Sequence, residues 1–254
     1  MKKTILIIAT LFVTAFVGQA QDMTLEEVLE SHFEAIGQEK MNDVKSMTMT
    51  GKQMAQGMEY PFKIVIKRPD KLRIEATIQG NTMVQAYNGK DGWMIMPWVS
   101  TDPQDANEEQ LKGFKEQADM DGKLYNWKDK GHTVELIGTE DMEGTEVYKV
   151  KVSEKPDKEG EEGNNTFYFI DSENFVILKT TAKRIIQGNE IEVESFQSNY
   201  KQTNGVAIAF SMETKMGGNS ISQIIVEEIK FDEEIDDKIF DRPEKKEEVK
   251  KKGE

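Results

Sequence analysis

The hydrophobic pattern of the chain begins with helical spacing. Apolar residues first recur at intervals of three and four, which predicts an amphipathic helix. These residues are Leu25, Val28, Leu29, Phe33 and Ile36. Thr24 and Glu27 stand at the spacing of a capping box, and Gly37 provides a stop signal after the last apolar position. We therefore predict that one short helix opens the folded domain.

After this helix, apolar and polar residues alternate, which is typical of half-buried β-strands. The clearest alternation places Leu72, Ile74, Ala76 and Ile78 on one face of a strand and polar residues on the other. The pattern predicts about 11–12 strands, at 44–52, 60–67, 72–78, 81–88, 92–97, 132–139, 145–153, 165–171, 174–185, 189–199, 205–213 and 219–232.

Short turn sequences separate these strands, among them Asn88-Gly89, Asn204-Gly205 and Gly217-Gly218-Asn219. Such turns join antiparallel neighbours, whereas parallel strands would need crossover helices that the pattern lacks. A sheet this wide twists until it splits into a two-layer sandwich or curls into an open barrel. We therefore expect a mainly β fold with a few helices.

One helical segment interrupts the strand pattern, between strands 92–97 and 132–139. Asp105 is predicted to cap a helix that runs to about Met120, with Glu108 at the reciprocal position. Few apolar residues anchor this helix, so it should pack weakly and be able to move as a lid over an apolar concave face. They are Leu111, Phe114, Ala118 and Met120.

Methionine content is consistent with such a pocket. The chain has 14 methionines, and many of them fall in or beside predicted strands. Thioether side chains adapt to varied apolar shapes and suit a promiscuous binding site. Methionines in strands are more often ordinary core residues, so composition by itself favours core packing over ligand contact.

Composition excludes several classes of function. The 254 residues carry a net charge of −14, with 47 acidic against 33 basic residues, which argues against nucleic-acid binding. There is no cysteine, and the two histidines, His32 and His132, are far apart in the sequence. These counts argue against thiolate nucleophiles and thiolate metal sites, and against histidine-based zinc sites or catalytic triads. We expect no metal, no cofactor and no enzymatic activity.

The first residues resemble a secretory signal peptide. Lys2 and Lys3 precede an apolar run from Ile5 to Val17, and small residues follow at the spacing expected for cleavage. The run is too short to cross a bilayer as a helix. We predict a signal peptide over 1–20, a domain over 21–243, and a charged, disordered tail over 244–254. No cysteine follows the run, so we expect a periplasmic protein without a lipid anchor.

Two motifs at a fixed spacing resemble the LolA-type outer-membrane lipoprotein carrier family. The first ends a strand with Lys67-Arg68-Pro69 and begins the next strand at once. The second, over 87–97, places Asn88-Gly89-Lys90 before an aromatic strand that ends in a proline. The closing segment 235–243 is similar to the usual end of these proteins. The resemblance covers most of the domain in layout and about forty residues in specific motif.

This resemblance implies an open, half-barrel antiparallel sheet with a helical lid over an apolar cavity. The arginine that controls the lid in the family matches Arg68, which would bond to the lid from beneath. The family's cavity aromatic falls on Leu72, which keeps the position apolar but loses the ring. The chain is longer than a typical member and its charged tail has no counterpart there, which leaves a paralogue with other cargo as an alternative.

The resemblance implies a carrier that takes acylated lipoproteins from an inner-membrane release complex to an outer-membrane acceptor. Two alternatives are a binder of another lipid or isoprenoid, and an envelope interaction or sensor module without a ligand. We expect a monomer, with lid control by Arg68, Leu111 and Phe114. The predicted lining of the apolar cavity is Phe62, Ile64, Ile66, Leu72, Ile74, Ile78, Trp93 and Met94.

Overall fold

The structure, a computed structural model, describes residues 23–156, 163–186 and 188–243. The predicted signal peptide and charged tail therefore lie outside the described residues. All the strands belong to one 13-stranded antiparallel sheet. The prediction of a mainly β fold on an open antiparallel sheet is confirmed, and the alternative of a two-layer sandwich is wrong.

The strands follow one another with short turns, as the alternation predicts. They are β1 (Ser46–Ala55), β2 (Met58–Lys67), β3 (Lys71–Ile78), β4 (Asn81–Tyr87), β5 (Gly92–Met96), β6 (Ser100–Asp105), β7 (Thr133–Met142), β8 (Thr145–Ser153), β9 (Asn165–Asp171), β10 (Ile177–Ile186), β11 (Asn189–Thr203), β12 (Val206–Met216) and β13 (Asn219–Phe231).

Strand β6 is the one that the sequence pattern missed. It lies at an edge of the sheet and contains Pro103, which cannot donate a backbone hydrogen bond. An edge strand tolerates proline because one side of its backbone has no neighbour. The polar composition of β6 and its proline hide it from an alternation search.

In the part of the chain that the structure describes, three α-helices accompany the sheet: α1 (Leu25–Ile36), α2 (Gln38–Asp43) and α3 (Glu108–Ala118). Helix α1 is confirmed, with the Thr24–Glu27 capping box formed and Gly37 at a φ of 71° after its last turn. Helix α2 was not predicted. Helix α3 is present, but Asn107 caps it and Gln110 completes the box, so the assignment of the cap to Asp105 was wrong. Asp105 instead ends β6.

The order of strands explains why the chain must cross the sheet. The order is β6-β5-β4-β3-β2-β1-β13-β12-β11-β10-β9-β8-β7, so the chain runs from the centre to one edge and resumes at the other. Residues 106–132, which contain α3, make this crossing. They do so over one face of the sheet, called here the inner face, on which α1 and α3 pack.

Two apolar clusters fill the space between the inner face and the helices. Helix α1 places Val28 and Leu29 against Val150, Val152 and Ile170 of strands β8 and β9. Helix α3 places Phe114 and Ala118 against strands β1–β5, β12 and β13. Within the described residues, no helix is long and apolar enough to span a membrane.

Candidate functional site

The cluster beneath α3 contains most of the residues predicted to line a cavity. Phe62, Ile66, Leu72, Met94 and Phe114 are buried in it, and Leu111, Ile64 and Ile74 pack against it. The four apolar residues predicted to anchor the helix all lie in this cluster. The side chains of α3 occupy the apolar space that the sequence analysis assigned to a ligand.

Strand register explains why these residues meet. Strands β2 and β3 pair Ile64 with Ile74 and Ile66 with Leu72, so the inner-facing residues of both strands form one surface. Ile78 belongs to the same alternation, but it is half-buried near the end of β3 and lies outside the cluster.

Trp93 does not line the inner face, and its assignment to the cavity was wrong. Successive residues of a strand point to opposite faces, so Trp93 and its neighbour Met94 cannot both point inward. Trp93 packs on the outer face with Val84 and Ala86. Its indole Nε1 donates a hydrogen bond of 2.9 Å to the carbonyl oxygen of Phe240, in the C-terminal segment that covers this face.

Arg68 ties two separate parts of the chain together at the end of β2. Its Nε donates to the Val44 carbonyl (2.8 Å) and its Nη2 to the Met41 carbonyl (3.1 Å), both at the end of α2. Its Nη1 and Nη2 also donate to the two carboxylate oxygens of Asp121, at 2.6 and 2.7 Å. Asp121 follows the end of α3, so the hydrogen bonds of Arg68 connect the segment after α3 to the end of α2 and do not involve α3 itself.

The environment of this ion pair favours its charged form. Burial of Asp121 raises its pKa, but the hydrogen bonds and positive charge of Arg68, with a 3.0 Å hydrogen bond from Gln38 Nε2, hold the pKa below its usual range. The side chains of Arg68 and Asp121 are 26% and 16% exposed, so solvent screens the pair only partly.

A cavity of about 270 Å³ lies behind the segment that Arg68 holds, and it is called here the apolar cavity because the larger part of its wall is apolar. The apolar part includes Phe33 and Ile36 of α1, Met120, Leu124 and Ile208, and the wall also contains the charged residues Asp119, Asp121 and Lys123. This volume is just below the ~300–1,000 Å³ of typical small-molecule sites. The sequence did not indicate this cavity, because its wall comes from segments far apart in the chain.

His32 also borders this apolar cavity. It is buried, and its Nδ1 lies 2.7 Å from the carbonyl oxygen of Phe175. Burial lowers the pKa of His32, although the contact with Phe175 acts in the opposite direction. Burial at this position therefore favours the uncharged imidazole.

Two glycines offer a direct test of how tightly α3 is seated. A Cβ at Gly92 would come within 2.7 Å of Leu111 and 2.9 Å of Phe114, whereas a Cβ at Gly113, inside α3, would meet nothing within 4 Å. Gly92→Ala should weaken the seating of α3 by about 1–3 kcal/mol through overpacking. Gly113→Ala should stabilise the helix by about 1 kcal/mol.

Hydrogen exchange of the α3 amides measures both effects. Exchange should become faster in Gly92→Ala and slower in Gly113→Ala, while the buried strands β8 and β9 serve as an internal reference. Unchanged exchange in Gly92→Ala would mean that Leu111 and Phe114 do not seat the helix as described.

A protein-family model described as an uncharacterized protein matches residues 64–244. The comparison with curated proteins gives no match.

Solved structures share the fold at low sequence identity. A LolA superfamily protein from Nitrosomonas europaea is 16% identical, with a TM-score of 0.58 over 86% of this chain and 98% of its own. A DUF1329 family protein from Desulfovibrio piger is 13% identical, with a TM-score of 0.60 over 84% and 97%. A putative outer membrane lipoprotein-sorting protein domain from Vibrio parahaemolyticus is 13% identical, with a TM-score of 0.53 over 82% and 95%. At these identities the likeness is one of fold.

Proposed function

We propose that this chain, which belongs to the family whose model matches residues 64–244 and shares the LolA-like fold, binds lipid acyl chains beneath a movable helical lid. In this proposal it is a periplasmic carrier that delivers acylated lipoproteins toward the outer membrane. Its role is binding rather than catalysis, and it acts as a monomer between an inner-membrane donor and an outer-membrane acceptor.

The observation that carries the proposal is that α3 covers the apolar inner face of the sheet with only a few contacts. A small set of apolar residues seats α3, and the residues that follow it are held by the polar contacts of Arg68. An acyl chain offers the inner face the same kind of apolar contact that Leu111 and Phe114 make. Ligand and lid therefore compete for one surface, and a ligand that binds the open form shifts the population toward it.

The apolar cavity supplies the first place for such a chain. It measures about 270 Å³ and is bordered by the segment around Asp121 on one side and by strands β10–β12 on the other. Displacement of α3 would add the surface beneath the lid to this volume. Ile208 packs against the cluster beneath α3 and also lines the cavity, so the two apolar regions are neighbours.

Native mass spectrometry of the protein purified from its own host tests the proposal. We expect a bound lipoprotein, with dissociation releasing its acylated N-terminal peptide. A free lipid or isoprenoid instead would retain acyl-chain binding but contradict the lipoprotein cargo. Persistent emptiness, including after incubation with acylated peptides, would contradict binding altogether and favour an interaction or sensor module.

A further inference from the structure

A second, charged cavity lies beside the lid. It measures about 640 Å³ and is bounded by α3, the residues that follow it and the end of β8. Five lysines, one histidine and four carboxylates form its wall. In a chain with a net charge of −14, such a concentration of lysine around one cavity stands out.

Most of the negative charge in this cavity is already neutralised. Lys123 forms ion pairs with Glu154 and with Glu116, the latter at 3.1 Å. Lys130 forms an ion pair with Asp119. Three of the four carboxylates are thus occupied by lysines of the same wall.

Two donors of the wall remain available. Among the residues that the structure describes, Lys115 on α3 and Lys155 after β8 form no ion pair. Ammonium groups that border one cavity favour an anionic ligand with several oxygen acceptors. Phosphate is the group that best fits this description.

The charged cavity adjoins the apolar one. Asp119, Gly122 and Lys123 line both cavities, so a single short segment separates them. A ligand with a phosphate at one end and an acyl chain at the other could occupy both sides of this segment at once.

We propose that the charged cavity binds the phosphate headgroup of an anionic lipid whose acyl chain lies in the adjacent apolar cavity. This inference rests on the proposed function, because it takes acyl-chain binding as given and assigns the class of headgroup. Lys115 and Lys155 supply the charge that selects the anion. They lie on different elements, so while α3 is seated and the acyl chain occupies only the adjacent apolar cavity, the headgroup contacts the lid helix and the end of β8 together.

Calorimetric titration with two lipids of the same chain tests the inference. The probes are oleoyl lysophosphatidic acid, which carries a phosphate, and monooleoylglycerol, which does not, both below their aggregation concentrations and at low salt. We expect the phosphate lipid to bind about tenfold more tightly to the wild type. Lys115→Gln/Lys155→Gln should lose this preference and bind monooleoylglycerol as the wild type does.

A matched variant controls for net charge. Lys90→Gln/Lys238→Gln removes two exposed lysines outside this cavity and should keep the preference for phosphate. Equal affinity of the wild type for both lipids, or an unchanged preference in Lys115→Gln/Lys155→Gln, would overturn the headgroup site while leaving the proposed function intact.

Titration with inorganic phosphate separates a headgroup from a free anion. We expect it to bind much more weakly than the phosphate lipid, since it lacks the chain. If inorganic phosphate binds as tightly as the lipid, the cavity is a free-anion site and the inference is wrong. If neither lipid binds, the proposed function itself is contradicted.

Discussion

Replacement of Arg68 by leucine should release the segment around α3 from its closed position. The substitution removes four hydrogen bonds and leaves the partly buried carboxylate of Asp121 without its cation. An unsatisfied buried acceptor costs about 1–3 kcal/mol. We expect a shift of about 2 kcal/mol toward the open form, which is about thirtyfold in population. In a carrier, cargo would then load normally but be released poorly.

Hydrogen exchange over residues 105–124, with and without a bound acyl ligand, measures this shift. The α3 amides should exchange faster in Arg68→Leu, and ligand should speed their exchange in the wild type. In Arg68→Lys the α3 amides should exchange at rates between those of the wild type and Arg68→Leu. Lysine keeps the positive charge but lacks the planar guanidinium that donates to both carboxylate oxygens of Asp121.

Arg73→Leu is the matched control. Arg73 donates to the Ile239 carbonyl (2.6 Å) and to Glu75 (2.7 Å), and its guanidinium lies 5.6 Å from the ring centre of Trp93 on the outer face. Replacement of Arg73 by leucine should leave the hydrogen-exchange rates of residues 105–124 unchanged. Equal protection in the wild type and Arg68→Leu would mean that Arg68 does not control the lid. Strong protection that ligand never alters would identify α3 as a fixed structural helix.

A carboxylate on the inner face should abolish uptake of a fluorescent fatty-acid probe. Ile208 borders the apolar cavity, and Ile64 packs against the cluster beneath α3. An isolated charge in an apolar site is strongly unfavourable. We expect Ile208→Asp and Ile64→Asp each to weaken binding by about a hundredfold or more, which corresponds to about 3 kcal/mol.

The control for this experiment places the same charge on the other side of the sheet. Ile225 on β13 is 45% exposed, whereas its neighbours Ile224 and Val226 belong to the cluster beneath α3. Ile225→Asp should bind the probe normally. Both inner-face positions are only partly buried, so the variants can be checked for folding by thermal unfolding. Folded variants with wild-type affinity would place the acyl-chain site elsewhere.

Much of the architecture could be predicted from the sequence because it is encoded locally. The capping box at Thr24, the stop at Gly37 and the alternation of β3 depend on residues within a few positions of one another. The same holds for the apolar stripe of α3. The strand that was missed, β6, is polar and contains a proline, so it lacks the local signal on which such a prediction depends.

Only the tertiary structure decided how these elements make a site. The pairing of β1 with β13 sends the chain from one edge of the sheet to the other, which is why α3 crosses the inner face. The partner of Arg68 is Asp121, 53 residues away, and neither residue signals the other in the sequence. Strand register turned Met94 inward and Trp93 outward. These features arise from contacts between distant segments, whose geometry depends on the packing of the whole sheet rather than on any local pattern.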